Sequence, residues 1–105
     1  MNREIITAFK LFRMRRDGTI GSLFINRKQV IPIGKWLNYE IYPTKGYALR
    51  PGWHSCSFPD APHLTMKGRK WFRVEISHYE ELKRPKSQGN MWFISEKMKV
   101  VGELE

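Results

Sequence analysis

The chain is poor in the things that usually give a small protein away. It has one cysteine, Cys56, in 105 residues, so no internal disulfide can form and the fold does not depend on an oxidising compartment. Uninterrupted apolar runs are missing too. The N-terminal stretch is broken by Arg3, Glu4, Lys10 and Arg13, which leaves no core for a signal peptide or a membrane span, and a soluble, cytoplasmic protein is expected. Acidic residues are scarce, ten against nineteen Lys and Arg, giving a formal charge of +9. No Walker-type loop, no G-x-S-x-G and no pair of carboxylates in a catalytic context occurs, and internal repeats and interdomain linkers are absent. No catalytic residue, cofactor or metal is assigned from this reading.

What is present is enough for one domain spanning 1–105. The length is near the commonest domain size. A 41% hydrophobic and 13% aromatic content, with four Trp, four Tyr and six Phe, supplies large side chains for a small core and argues against disorder. The punctuation is that of a β-rich protein. Phe9–Met14 reads as a strand, Asp17-Gly18 as its turn and Ser22–Ile25 as the returning strand of an N-terminal β-hairpin. Val30–Ile33 is a short third strand, with Pro32 placing it on an edge or near an end, and Lys35–Tyr42 alternates like a strand, although its length also permits two helical turns. Trp71–Ile76 alternates, with Phe72, Val74 and Ile76 facing the core. Ser77–Leu82 reads as a short helix or turn, Lys83–Asn90 as an exposed loop, and Met91–Ser95 with Met98–Val101 as one bent strand or two short ones. The expected fold class is α+β, β-rich: a small twisted or curled, mostly antiparallel sheet with at most one or two short helices.

The charge is unevenly placed. Residues 1–52 hold ten basic residues against three acids, and residues 53–105 hold nine against seven. Lys10, Arg13, Arg15 and Arg16 lead into the Asp17-Gly18 turn, and Arg27 and Lys28 stand at the next turn, a field that draws polyanions such as phosphate backbones or an acidic protein face. The same charge equally suits a solvated surface.

The segment from Lys45 to Leu64 gathers two of the three histidines and the cysteine. Its prolines and glycines predict a shaped loop without a regular helix or long strand. His54, Cys56 and His63 are spaced H-x-C-x6-H, which matches no common zinc framework, and a fourth ligand would have to be Asp60 or His78. The blander assignment is a small buried thiol with packed or hydrogen-bonded histidines. Cys56 acting as a nucleophile with His54 or His63 as base would require an activating environment. Of the tryptophans, Trp53, beside Arg50 and His54, is the first candidate for stacking on an unpaired base, and Trp71, which shares an outward face with Arg73, is the second.

The string from Phe9 to Ile33, with RPGWH at 50–54, APHL at 61–64 and SQGNMWFISEKMKV at 87–100, resembles a family of small uncharacterised proteins encoded by phages and prophages. The resemblance implies a phage setting, host cytoplasm, and action by binding nucleic acid or a host nucleoprotein such as a defence complex. GWHSCSFPDAPHL also looks like the glycine-aromatic-histidine segment of compact ADP-ribosyltransferase-like domains. That resemblance implies a split sheet around a nucleotide groove near His54, with Gln88 or Glu96 near the acidic position. A virion assembly protein is a third expectation. The leading one is a non-catalytic binder of nucleic acid or nucleoprotein, with Lys10, Arg13, Arg15, Arg16, Arg27, Lys28, Arg50, Trp53 and His54 at its surface.

Overall fold

The structure, a computed structural model, describes residues 2–22, 30–39, 52–88 and 91–104. Six strands appear in chain order: β1 (Ile6–Met14), β2 (Ile20–Gly21), β3 (Trp36–Asn38), β4 (Trp53–Cys56), β5 (Arg69–Lys83) and β6 (Met91–Glu103), with a 3-10 turn over Lys86–Gln88. Every strand pairing is antiparallel. The class is β-rich, as composition and punctuation predict, and the N-terminal hairpin is present. Its returning strand begins at Ile20, opposite Met14; Leu23–Ile25, placed in that strand from sequence, lie outside the described residues.

The hairpin turn is held by its own side chains. Asp17 Oδ1 accepts from the Thr19 amide at 3.0 Å and the Thr19 hydroxyl at 2.7 Å. Gly18 takes φ +85, a conformation that glycine adopts without a Cβ penalty.

The sheet closes on itself. Phe9 on β1 is paired with Arg73 on β5 along one edge and with Cys56 on β4 along the other. Ile94 on β6 pairs with Glu80 on β5 and His54 on β4 in the same way. The ring β1, β5, β6, β4 and back to β1 is therefore a small barrel, in which the β1–β4 seam rests on a single register pair. Strand β2 extends the free edge of β1 and strand β3 that of β6. Closure removes most of the exposed strand edge that an open sheet this size would present.

The long β5–β6 hairpin makes closure possible by bending halfway. Before the bend, even-numbered Phe72, Val74 and Ile76 enter the core; after it, odd-numbered Tyr79 does. Strand β6 changes in step, from Phe93 to Met98 and Val100. The change falls at His78, the only described non-glycine residue with positive φ, at 54°, and opposite it at Glu96 and Lys97. Ser77–Leu82 is thus neither helix nor turn. It continues β5, and the reversal of pleat parity removes the alternation by which sequence would reveal a strand. Likewise β6 is one continuous strand, and Val30–Ile33 contributes only isolated bridges, Ile31 to Ile20 and Ile33 to Val100.

The barrel interior packs Ala8, Phe12, Phe72, Val74, Ile76, Met98 and Val100, all at most 2% exposed. Phe12 meets Phe72 edge-to-face at 5.6 Å, and Tyr79 meets Phe93 at 5.5 Å, the geometry favoured by the ring quadrupole. A second cluster, Cys56, Ala61 and Trp92, lies on the outer face, with Leu64, Trp71 and Leu82 packed against it. The turn-rich segment 57–68 covers that face.

Candidate nucleic-acid interface

The register brings together two basic turns that are about fifty residues apart in sequence. Strand β1 ends where β5 begins, so Arg13 stands directly opposite Arg69, and the Met14 amide donates to the Gly68 carbonyl at 2.8 Å. Arg13 and Arg69 share the outward face of the pair with Leu11, Trp71, Phe9 and Arg73, because successive strand residues alternate between faces. Arg16 and Lys67 are exposed at the two turns, and Arg73 is exposed farther along β5. The nearby acids are already engaged: Asp17 by Thr19, and Glu103 by Lys70 at 2.9 Å. The Thr19 hydrogen bonds, with the Arg15 charge as a lesser cause, keep the Asp17 carboxyl below its ordinary range.

The other residues expected at the surface have different positions. Arg15 donates from Nη1 to the Ile20 carbonyl at 2.9 Å, and its guanidinium lies over Gly21, where even a Cβ would clash at 2.5 Å; it braces the hairpin. Lys10 is withdrawn from the surface face. It falls in the inward-facing series of β1 with Ala8 and Phe12, its ammonium donates to the His54 carbonyl and lies 5.7 Å from the Phe12 ring centroid. Burial pulls it down to about 8, with Cys56 acting weakly the other way. Trp53 is only 8% exposed and meets Tyr39 edge-to-face at 5.9 Å, so it lines the core and offers no stacking platform. It stands in β4, a four-residue strand inside the segment expected to be a shaped loop without a long strand. His54 is half-buried on β4. Arg27, Lys28 and Arg50 lie outside the described residues.

Lys67 and Arg69 are not singled out by the sequence, whereas Arg73 is named there only as Trp71's neighbour on an outward face. The signal was the run Lys67-Gly68-Arg69-Lys70, a basic glycine turn like the one at Gly18, and its meaning depends on register, which is a nonlocal property.

Among the described residues no group of three His, Cys, Asp or Glu side chains could hold a metal ion. Cys56 is 1% exposed, and burial pushes its thiol up to about 12 despite the opposing Lys10 charge. A thiol at that value holds its proton and is a poor nucleophile. His63 packs its ring against Trp92 at 5.8 Å; burial, then the Arg84 charge, lowers it below the ordinary histidine value. Gln88 is structural: its carbonyl accepts from the Trp92 indole and its side chain from Arg84, whose guanidinium stacks on Trp92 at 4.8 Å. Glu96 is exposed at the bend of β6. No helix among the described residues is long and apolar enough to cross a membrane.

Comparison of the chain with protein-family models, curated proteins and solved structures gave no match.

Proposed function

We infer that the protein acts by binding the phosphate backbone of a nucleic acid, free or within a host nucleoprotein, and that the two-turn end of the barrel is its contact surface. The observation that carries this reading is the cross-strand pair Arg13 and Arg69. Like charges directly opposite each other destabilise a sheet, and a phosphate between them offsets that repulsion; Arg69 also donates from Nη1 to the Thr65 carbonyl at 3.1 Å, which holds its guanidinium at the turn. Arg16 and Lys67 extend the surface around the turns, Arg73 extends it along β5, and half-buried Trp71 lies between Arg69 and Arg73. A rigid barrel end of this kind positions charge without base readout, so affinity dominated by salt and indifferent to sequence is expected. No catalytic step is part of the reading. Blocking a host nucleoprotein complex, as in a phage anti-defence protein, is the biological role that fits it.

Fluorescence-anisotropy titration of nuclease-treated protein against labelled duplex DNA, single-stranded DNA and RNA tests this. Wild type is expected to bind with steep salt dependence, and R13A/R16A to lose about one unit of log-log slope per phosphate contact removed. Equal affinity and slope in the double variant would remove the barrel end from the site.

A further inference from the structure

Away from the basic end, the interior of the barrel holds a group of hydrogen-bond donors with nothing to donate to. Ser55 and Ser95 are 0% and 2% exposed, and Trp53 is 8% exposed. Ser55 Oγ, Ser95 Oγ and Trp53 Nε1 are all buried without a hydrogen-bond partner. Buried polar groups are almost always satisfied, and leaving one unpaired destabilises the fold. Among the described residues four side-chain atoms are in this state, the fourth being Arg84 Nε, and the three named here lie on adjoining strands, which calls for a common cause.

They are neighbours. Trp53 is directly opposite Ser95 across β4 and β6. Ser55 is two residues from Trp53 and faces the same way. Extending the Phe9–Cys56 register by one residue sets Lys10 opposite Ser55 across the β1–β4 seam. The two serines share this wall with Phe93, which is opposite Ser55, and Tyr79, which is opposite Ser95. Ser77, the third buried serine, is a useful contrast: its hydroxyl donates to the Arg3 carbonyl at 2.9 Å.

The Lys10 ammonium has three N–H donors, of which one goes to the His54 carbonyl. Among the described residues no carboxylate forms an ion pair with Lys10, and the titratable group that acts on it is the Cys56 thiol, which keeps its proton. A desolvated ammonium without a counterion is unfavourable. Water could satisfy the hydroxyls but would leave the charge uncompensated.

We propose that Lys10, Ser55, Ser95 and Trp53 form an internal site for one small monovalent anion, of chloride or formate size, seated inside the barrel at the β1–β4–β6 wall. The anion accepts from the ammonium, the two hydroxyls and the indole N–H, and supplies a counterion that no carboxylate among the described residues provides.

The test follows the indole N–H resonance of Trp53 by 15N-edited NMR, assigned from its loss in Trp53→Phe, while chloride or formate is titrated at constant ionic strength. A saturable shift is expected in the wild type and in R13A/R16A, which separates the interior site from the basic end. Lys10→Met is expected to abolish it. Ser95→Ala, which keeps the ammonium and guards against misfolding of the first variant, is expected to weaken binding roughly tenfold, the loss of one hydrogen bond to a charged partner. No saturable shift in the wild type, an unchanged titration in Lys10→Met, or a long-lived water contact to the indole that anions do not displace would each overturn the site.

Discussion

Lys10 is a charge placed where its burial costs stability, and the cost depends on pH. Its folded-state value, about 8, lies below the ordinary 10.5. Below pH 8 both folded and unfolded chains hold the proton, and the folded state carries the full penalty. Between about 8 and 10.5 the folded chain has released a proton that the unfolded chain still holds, so stability rises with pH. Across the whole window the gain is roughly 3 kcal/mol by linkage. Cys56 acts in the opposite sense. Its thiol, raised from 9.0 to about 12, stays protonated in the fold while the unfolded thiol ionises above 9, so its contribution is lost as pH rises from there. Stability is therefore expected to climb between pH 8 and 9 and then level off. Urea denaturation at pH 7, 8 and 9, in buffer free of small coordinating anions, checks this: Lys10→Met should remove the climb. A climb of equal size in the variant would mean that another group titrates in that interval.

At the scale of the element, the bend in the β5–β6 hairpin decides whether the ring can close. His78 holds φ 54 there, with its Nδ1 3.1 Å from the Ser77 hydroxyl. A β-branched residue is badly strained at such a φ, whereas glycine is not. His78→Val is expected to lose about 2 kcal/mol by holding backbone strain, and His78→Gly to stay within about 1 kcal/mol of wild type. Denaturation midpoints compare the two, and equal losses would show that the imidazole, not the backbone, matters at this position. The same residue explains the limits of the sequence. Phe72, Val74 and Ile76 alternate, and Asp17-Gly18 sits between apolar runs, so both elements can be read locally. Ser77–Leu82 cannot, because its parity is reset at His78. Trp53 looks like a loop aromatic because prolines and glycines surround it, yet its four-residue strand closes the barrel. Arg13 is legible in the sequence as a basic residue before a turn, but its position opposite Arg69 is not, since only the pairing of β1 with β5 makes them neighbours.

For the whole molecule, position of charge and amount of charge make different claims. The basic end carries Arg13, Arg16, Lys67 and Arg69, while the opposite end of β5 mixes Lys83 and Lys86 with Glu80 and Glu81. The barrel measures 36 × 34 × 30 Å, several times the Debye length of about 8 Å at physiological salt, so charges at one end are screened from a ligand held at the other. Two charge-reversal variants separate the two claims. R16E/K67E and K83E/K86E each change the charge by four units, from +9 to +5. If the ligand sits at the two turns, R16E/K67E is expected to weaken nucleic-acid binding by at least about tenfold at near-physiological salt, and K83E/K86E to change it by less than about threefold. At low salt the Debye length approaches the size of the barrel, so the two variants should converge as salt is lowered. Equal loss at every salt concentration would mean that net charge alone draws the polyanion, and that the pairing of Arg13 with Arg69 has no part in holding it.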